Sequence, residues 1–580
     1  MSRMYRLAYV EFQNKDYCRV LMGIKNSRVD KRFIEKETGA IRKQWRNRIS
    51  LALIYPNRYF VGMSNLGFQT VYRLLNSMDT VVCERVFLPE PETGPSQPIV
   101  SVESGRLVTD FEIIAFSISF ENDYSNLLSI LEKTGIPLLA SQRGTPLPLV
   151  VAGGVACFLN PEPIAPFIDC FLMGEAEGLL SEFITGYDDN CRGGDAPRGK
   201  CLEKLARGVP GLYAPSLYCP SYNADGTTRG LEPVADVPGK IRRVYVPDLS
   251  AISTCSAVLT PATTFADTYL IEVSRGCPHG CRFCTAGFVY RPPRFRPLDL
   301  LEKNMARGIA VADKIGLVGA AVSDLPWIRQ LCAAYAGQSR VSFSSLRADA
   351  MAPELVSTLR QSGVKTATIA PEAGSERMRK VINKGITEDD ILNAAEVLVA
   401  GGIPNIKLYF MIGLPTETMV DVQAIVTLCR QIKSRFLQSS RVRRHIGALT
   451  LSLNCFVPKA ATPFQWAPMD DVGTLNKKIK LIKNGLKRVA NVRVNTDIPR
   501  RAYVQALLSR GDQKVAKILL TAHGYHGNWP QTFRASPLDA DFYVRRQRGA
   551  DEVFPWDFID CGVKKSFLKK EYMRAFQERS

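Results

Sequence analysis

Short apolar segments alternate with helical patterns along most of the 580-residue chain, and this alternation restricts the fold more than any other feature. Residues 51–55 and 269–273 are examples of such segments, and each is typical of a buried strand. Strands that alternate with helices predict parallel sheets with helical crossovers. The chain is also too long for a single hydrophobic core. We therefore predict an α/β protein with several domains.

Changes in the pattern divide the chain into five predicted parts. Four strand candidates in the first third predict a Rossmann-like doubly wound domain. Six further candidates after an irregular segment rich in Pro, Gly and Tyr predict a partial (β/α)6 barrel. The parts are an N-terminal extension (1–50), the Rossmann-like domain (51–190), a bridging segment (191–262), the barrel core (263–470) and a mixed, mainly helical C-terminal domain (471–580).

The composition narrows the class of protein. Hydrophobic residues make up 46% and charged residues 23%, which is typical of a globular chain. No apolar run is long enough to cross a bilayer, and the first residues lack a signal-peptide core, so we expect a cytoplasmic protein without a membrane span. The net charge of +19 favours a polyanion such as RNA as a partner, although the basic residues are dispersed. Fifteen cysteines, mostly isolated, do not indicate a disulfide framework.

One group of cysteines is an exception. Cys277, Cys281 and Cys284 follow a predicted strand, on a short loop that contains two glycines. Thiolates bind zinc, copper(I) or iron–sulfur clusters. Structural zinc takes four ligands, but no second cysteine pair has zinc-ribbon spacing, and His279 lies inside the loop. Three thiolates on an iron–sulfur cubane leave one iron open, so a 4Fe-4S cluster is the favoured prediction, and three incidental core cysteines are the alternative.

This spacing, Cys-x3-Cys-x2-Cys with an aromatic at Phe283, resembles the signature of the radical S-adenosylmethionine (SAM) superfamily. The resemblance implies that Cys277, Cys281 and Cys284 are catalytic, that Phe283 adjoins the cofactor, and that the open iron binds the amino and carboxylate groups of S-adenosyl-L-methionine. It also implies reductive cleavage to a 5′-deoxyadenosyl radical. A low-potential electron donor such as flavodoxin or ferredoxin is then required as a partner.

The resemblance extends to the loop after the second predicted barrel strand. The superfamily has Gly-Gly-Glu there to hold the methionine amino group, whereas this chain has residues 319–324 without a glutamate. The resemblance therefore implies that Gly319 contributes a backbone carbonyl to the cofactor site and that Ser323 or Asp324 replaces the glutamate carboxylate. All three are predicted cofactor-binding residues.

Two later segments also match superfamily patterns. Residues 370–377 resemble the Glu-Ser-Gly-Ser motif of the methylthiotransferase and cobalamin-linked branches. This implies that Glu372 contacts the cofactor with help from Arg379 or Lys384, while a helix-capping role is the alternative for Glu372. Residues 410–417 resemble the loop that lies along the adenosine, which implies a cofactor contact at Gly413.

The predicted Rossmann-like domain resembles the cobalamin-binding domains that precede many radical SAM cores. Its Gly153 and Gly154 follow a strand, where cofactor-binding loops lie. The first histidine of the chain is His279, so this domain supplies no histidine to cobalt. Cobalamin is the cofactor that the resemblance allows, and an empty scaffold is the alternative. The full arrangement resembles an uncharacterised family with an N-terminal cobalamin-binding-like domain fused to a radical SAM core.

The leading functional hypothesis is a radical SAM enzyme that modifies an unknown substrate, with cobalamin-dependent methylation as one outcome. A second hypothesis is an RNA-modifying radical SAM enzyme. The chain lacks a second cysteine triad for the auxiliary cluster that such enzymes carry. The third hypothesis is a non-catalytic iron–sulfur or cobalamin sensor.

Overall fold

The computed structural model describes residues 35–90, 98–193, 196–335, 337–344, 346–440 and 447–577. Most of the predicted N-terminal extension, residues 1–34, lies outside the described residues. Strands and helices alternate through the described part, which confirms the predicted α/β class. Buried apolar side chains of all its parts join in one continuous core.

Six strands form the first sheet in the order β2-β1-β3-β4-β5-β6, and β1 to β5 are parallel. The order 2-1-3-4-5 is that of flavodoxin-like folds, in which ligands bind beyond the carboxyl ends of the strands. The strands are β1 (Ile49–Tyr55), β2 (Val81–Phe87), β3 (Ile113–Ser117), β4 (Leu149–Gly153), β5 (Cys170–Leu172) and the antiparallel β6 (Leu212–Tyr213). The helices are α1 (Tyr59–Met63), α2 (Leu66–Ser77), α3 (Tyr124–Lys133), α4 (Val155–Leu159), α5 (Ala176–Asn190) and α6 (Arg198–Gly208).

Strand β2 was not predicted from the sequence, because Glu84 and Arg85 interrupt its apolar residues. The structure buries both side chains. Arg85 forms ion pairs with Glu37 at 2.7 Å and with Glu103 at 2.6 Å. Glu84 accepts a hydrogen bond from the Trp45 indole at 2.8 Å. The Arg85 charge is thus balanced by two carboxylates and the Glu84 carboxylate is hydrogen-bonded, as buried charges require.

The predicted bridging segment contains more regular structure than its composition indicated. Its strands β7 (Tyr218–Tyr222) and β8 (Thr228–Pro233) form a hairpin, and β9 (Ile241–Arg242) pairs with a strand near the C-terminus. Cys191 and Cys201 form a disulfide across the α5–α6 connection. It is the one disulfide among the described residues, and a single bond of this kind is not a disulfide framework.

The second unit contains two parallel sheets whose strands follow one another in chain order. An isolated parallel bridge between Leu346 and Ile369 connects their edges. The first of these sheets has three strands: β10 (Thr268–Glu272), β13 (Lys314–Val318) and β14 (Arg340–Phe343). The other has four: β15 (Thr366–Glu372), β16 (Asn405–Ile412), β17 (Leu449–Cys455) and β18 (Val492–Thr496). The short antiparallel pair β11 (Ser274–Arg275) and β12 (Arg294–Phe295) flanks the cysteine loop.

All six predicted core strands are present, and β18 extends their sheet beyond residue 470. The helices of this unit are α7 (Leu298–Ile309), α8 (Ile328–Tyr335), α9 (Pro353–Gln361), α10 (Glu376–Val381), α11 (Glu388–Ala400), α12 (Met419–Ser440) and α13 (Val472–Leu486). The C-terminal part adds α14 (Pro499–Arg510), α15 (Val515–Gly524), α16 (Trp529–Ala535), α17 (Ala540–Val544), β19 (Ile559–Asp560) and α18 (Lys565–Gln577). Among the described residues, no helix has the length and apolar character that a bilayer crossing needs.

Candidate active site

The three predicted ligand cysteines lie on the loop between β11 and β12, and all three line a cavity of about 120 Å³, here called the cysteine cavity. The predicted aromatic Phe283 lines it as well. Gly276 begins the loop with a φ of +87°, and a Cβ there would collide with the carbonyl oxygen of Tyr290. Glycine is therefore required where the chain turns from β11 into the cysteine loop.

The thiols face one cavity without meeting at a point. Among the described residues, no three His, Cys, Asp or Glu side chains lie close enough together to hold a single metal ion. A cubane cluster suits this arrangement, because each thiolate then binds a different iron. Burial raises the pKa of Cys277 to about 12, with a further increase from the nearby Cys284 and Cys281. Binding of a metal cluster at this site must therefore displace protons.

Contacts with α10 and α18 fix the cysteine loop in place. The Arg282 guanidinium is buried and donates to the carbonyl oxygens of Lys380 at 3.0 Å and Val381 at 2.9 Å. It also forms an ion pair with Glu571 of α18 at 3.4 Å. On the outer side, the Asn383 amide donates to the carbonyl oxygen of Gly280 at 3.0 Å. The loop is thus held through both backbone and side-chain contacts.

The three residues predicted to replace Gly-Gly-Glu do not act as a group. None of them lines the cysteine cavity. Asp324 lies 2.6 Å from the His279 ring nitrogen Nε2, so it contacts the cysteine loop itself. Ser323 accepts a hydrogen bond from the backbone of Arg347 at 3.4 Å, and Gly319 lines a different cavity. Their neighbours Ala320 and Ala321 line the cysteine cavity instead.

Glu372 is buried at the end of β15, and it lines the cysteine cavity. Its φ of +67° is unusual for a residue other than glycine and costs on the order of 1–3 kcal/mol. Two residues further on, a Cβ at Gly374 would collide with the backbone of Ile425 in α12. The strained backbone and the close helix contact together aim the Glu372 carboxylate into the cavity.

The two basic residues predicted to assist Glu372 have different positions. Lys384 lines the cysteine cavity and lies 3.7 Å from the Glu372 carboxylate. Arg379 does not line the cavity. Its buried guanidinium donates to the carbonyl oxygens of Ala373 at 3.2 Å and Gly374 at 2.9 Å. Arg379 therefore stabilises the backbone that follows Glu372.

Gly413 lies at the end of β16 with a φ of +78°, and it does not line the cysteine cavity. Its N–H donates to the Glu417 carboxylate at 2.7 Å. Glu417 is in turn paired with Lys478 at 2.8 Å, and both side chains are buried. Met411, two residues before Gly413, is the residue of this segment that lines the cavity.

A larger cavity of about 270 Å³, here called the sheet cavity, lies over the first sheet between α2 and α5. The predicted Gly153 and Gly154 both line it. Gly154 has a φ of +107°, and a Cβ there would collide with the carbonyl oxygen of Ile118. The buried Ser274 hydroxyl, which has no hydrogen-bond partner among the described residues, also lines this cavity. Apolar side chains from β1, β3 and β4 provide much of the remaining wall.

The two cavities adjoin each other. Ala286 and Ala320 line both of them, so small side chains form their common boundary. Lys459, which the sequence did not single out, also lines the cysteine cavity. It forms a buried ion pair with Glu121 from the loop after β3, and Gln505 donates to the same carboxylate at 3.0 Å. Burial alone would raise the pKa of Glu121, but Lys459 lowers it below its ordinary value.

A network of arginines and glutamates joins the first sheet to the second unit. Arg275 pairs with Glu177 at 2.7 Å and with Glu272 at 2.9 Å, and Arg294 pairs with Glu175 at 2.7 Å. Although burial of Glu272 opposes its ionisation, Arg275 and a second arginine lower its pKa to about 2. These ion pairs connect the two units, and most of their side chains also line the sheet cavity.

Comparisons with known proteins match both units. A model of the N-terminal region of radical SAM proteins matches residues 67–215, and a model of the radical SAM superfamily matches residues 271–429. An uncharacterised protein of Methanocaldococcus jannaschii is 30% identical over 479 residues, which are 81% of this chain and 90% of that protein. An uncharacterised methyltransferase of Pyrococcus horikoshii is 21% identical over 50% of this chain and 59% of its own length. The solved radical SAM methyltransferase TsrM of Kitasatospora setae, with cobalamin and a [4Fe-4S] cluster bound, aligns over 84% of this chain and 97% of its own with a TM-score of 0.46 and 12% identity.

Proposed function

Because the chain belongs to the radical SAM superfamily, we propose that it holds a 4Fe-4S cluster on Cys277, Cys281 and Cys284 and cleaves S-adenosyl-L-methionine there. The cluster, when bound, supplies the electron for this cleavage. The observation that carries the proposal is that these three thiols line one cavity together with Glu372. In this proposal the two parallel sheets, joined at their edges by the Leu346–Ile369 bridge, form the partial barrel around the cofactor.

The chain's own residues determine how SAM is held. The Glu372 carboxylate faces the cavity and accepts hydrogen bonds from hydroxyl or amino groups of the cofactor. Lys384 and Arg347 line the same cavity and supply positive charge for the carboxylate of SAM. Since neither Ser323 nor Asp324 lines the cysteine cavity, we assign the backbone carbonyls of Ala320 and Ala321 as the acceptors for the amino group of SAM.

The sheet cavity is the second site of the proposal, and we assign it to cobalamin. Its apolar wall and its glycine-lined edge at Gly153 and Gly154 fit the organic part of such a cofactor. Bound cobalamin would supply methyl-transfer chemistry, and no histidine of residues 1–278 can coordinate the cobalt. The shared lining at Ala286 and Ala320 would bring the two cofactors next to each other. The name of the Pyrococcus relative, a methyltransferase, supports methylation of an unknown substrate.

Anaerobic reconstitution tests the cluster. We expect about four iron and four sulfide per wild-type chain, and release of 5′-deoxyadenosine from SAM after reduction with dithionite. Cys281→Ala is expected to lose nearly all of the iron, whereas Cys429→Ala, a buried cysteine away from the cavity, retains it. Zinc in place of iron in the wild type, or equal iron in both variants, contradicts the proposal. Iron without SAM cleavage leaves the sensor hypothesis.

Corrinoid binding tests the second site separately. The visible spectrum of protein refolded or expressed with hydroxocobalamin reports the bound corrinoid, and it does not depend on turnover. Gly153→Val places a branched side chain on the cavity wall, where a Cβ meets only ordinary contacts, and we expect it to abolish binding. Gly144→Val is the control, because a Cβ there meets nothing within 4 Å and the residue is exposed. Equal corrinoid content in the two variants refutes the assignment.

A further inference from the structure

The cysteine loop reaches the molecular surface beside α18. Pro278, in the loop, is exposed, and the Arg291 guanidinium lies 3.5 Å from its carbonyl oxygen and 5.4 Å from the centre of the Phe288 ring. Phe288 in turn contacts Phe567 of α18, with ring centres 6.4 Å apart. The outer surface of α18 is therefore next to the surface through which an electron must reach the cavity.

Positive charge on α18 is distributed unevenly. Lys565 and Lys569 are neutralised within the molecule, by Asp557 and by Asp551 at 2.8 Å. Lys564 immediately precedes α18 and Lys570 lies within it, three residues before and three after Phe567, which places both on its side of the helix. Both are exposed, and no carboxylate of the described residues lies within ion-pair distance of either.

Further uncompensated charge surrounds the same surface. Lys380 of α10 is exposed, and its carbonyl oxygen accepts the hydrogen bond from Arg282 of the cysteine loop. The nearby Glu376 carboxylate is directed elsewhere, since it accepts from the backbone of Glu388 at 3.2 Å. A large apolar side chain lies among these positive charges, because Phe567 is 41% exposed. Apolar anchors within a charged rim are typical of protein-binding surfaces.

We propose that this basic face, made of Arg291, Lys380, Lys564, Phe567 and Lys570, docks an acidic electron-transfer protein. The inference rests on the proposed function, because a 4Fe-4S cluster that cleaves SAM needs one electron per cleavage from outside. In the docked complex the carrier is oxidised by one electron and the cluster is reduced by one. Opposite charges on the two proteins would steer the encounter and set its orientation. The closeness of the cysteine loop makes this face a short route for the electron.

Binding of a flavodoxin with a strongly negative net charge tests the proposal, measured by calorimetry at low and at high salt. We expect Lys564→Glu/Lys570→Glu to weaken binding at low salt by about tenfold or more. The control Lys133→Glu/Lys204→Glu makes the same change in net charge on exposed positions of α3 and α6. Wild type and control are expected to bind alike and to lose affinity as salt rises. Equal affinity of the two double variants would overturn the proposal.

Reduction of the reconstituted cluster separates this inference from the proposed function. The reduced flavodoxin should bleach the cluster absorbance several-fold more slowly in Lys564→Glu/Lys570→Glu than in the control, while dithionite reduces both at the same rate. An equal slowing with dithionite would indicate a damaged cluster site and would overturn the docking role. If dithionite reduces the wild type without cleavage of SAM, the proposed function fails, whereas the binding result on the basic face still decides the docking proposal.

Discussion

The Glu121–Lys459 pair offers a direct measure of how firmly the first sheet is joined to the second unit. Both side chains are almost fully buried, with exposures of 4% for Glu121 and 7% for Lys459. Glu121→Gln removes the carboxylate charge that pairs with the buried Lys459 ammonium. Loss of one partner from a buried pair costs about 3–5 kcal/mol. The glutamine keeps an acceptor for the hydrogen bond from Gln505.

This cost predicts a large thermal shift. With about 2–4 °C per kcal/mol for units of 150–250 residues, the first unfolding transition should fall by roughly 6–20 °C in calorimetry of the anaerobic apo-protein. Lys459→Met should cause a similar loss, and Glu121→Gln/Lys459→Met should recover most of it, because no lone charge remains buried. Glu203→Gln removes an exposed carboxylate on α6 and should leave the transition temperature almost unchanged. A double variant as unstable as the sum of the singles would refute the reasoning.

Two further predictions concern single positions. Burial raises the pKa of Glu162 to about 7 from an ordinary value of 4.5, so its contribution to stability is fully present below pH 4.5 and is lost as the pH rises towards 7. Glu162→Gln should therefore be more stable than the wild type by up to about 3 kcal/mol at pH 8 and equally stable near pH 4. Calorimetry that finds no gain at pH 8 would contradict this. Gly276→Ala should lower iron incorporation severely because of the collision with Tyr290, whereas Gly144→Ala should not, as iron and sulfide analysis after reconstitution would reveal.

The strands of the parallel sheets in both units could be predicted where they are continuous apolar runs. Strands buried on both faces have this pattern, and the ends of β1 and β10 differ from the predicted 51–55 and 269–273 by no more than two residues. Strand β2 could not be predicted, because Arg85 and Glu84 are compensated by residues far from them in sequence. A local pattern does not contain the partners that make a charged residue tolerable in a core.

In the candidate site, too, some features could be predicted from the sequence and others could not. The three cysteines were predictable, because their spacing is local and their chemistry is specific to the residue type. The contact between Asp324 and His279 was not predictable, since the two residues are 45 positions apart in the chain; the replacement of Gly-Gly-Glu stays a prediction. Lys459 gave no signal either, because its partner Glu121 is 338 residues away in the chain. Arg379 was predicted to assist Glu372, and its hydrogen bonds are to the backbone carbonyls of the next two residues, Ala373 and Gly374.

The arginine–glutamate network also determines how the chain can be divided for study. Arg275 and Arg294 belong to the second unit, whereas Glu175 and Glu177 belong to the first. A fragment that begins after β6 would leave Arg294 without Glu175 and Arg275 without Glu177 at a newly exposed boundary, with Glu272 as the remaining partner of Arg275. The same cut would open the apolar wall of the sheet cavity to water and leave Lys459 without Glu121. Truncated fragments are therefore poor stand-ins for the intact chain.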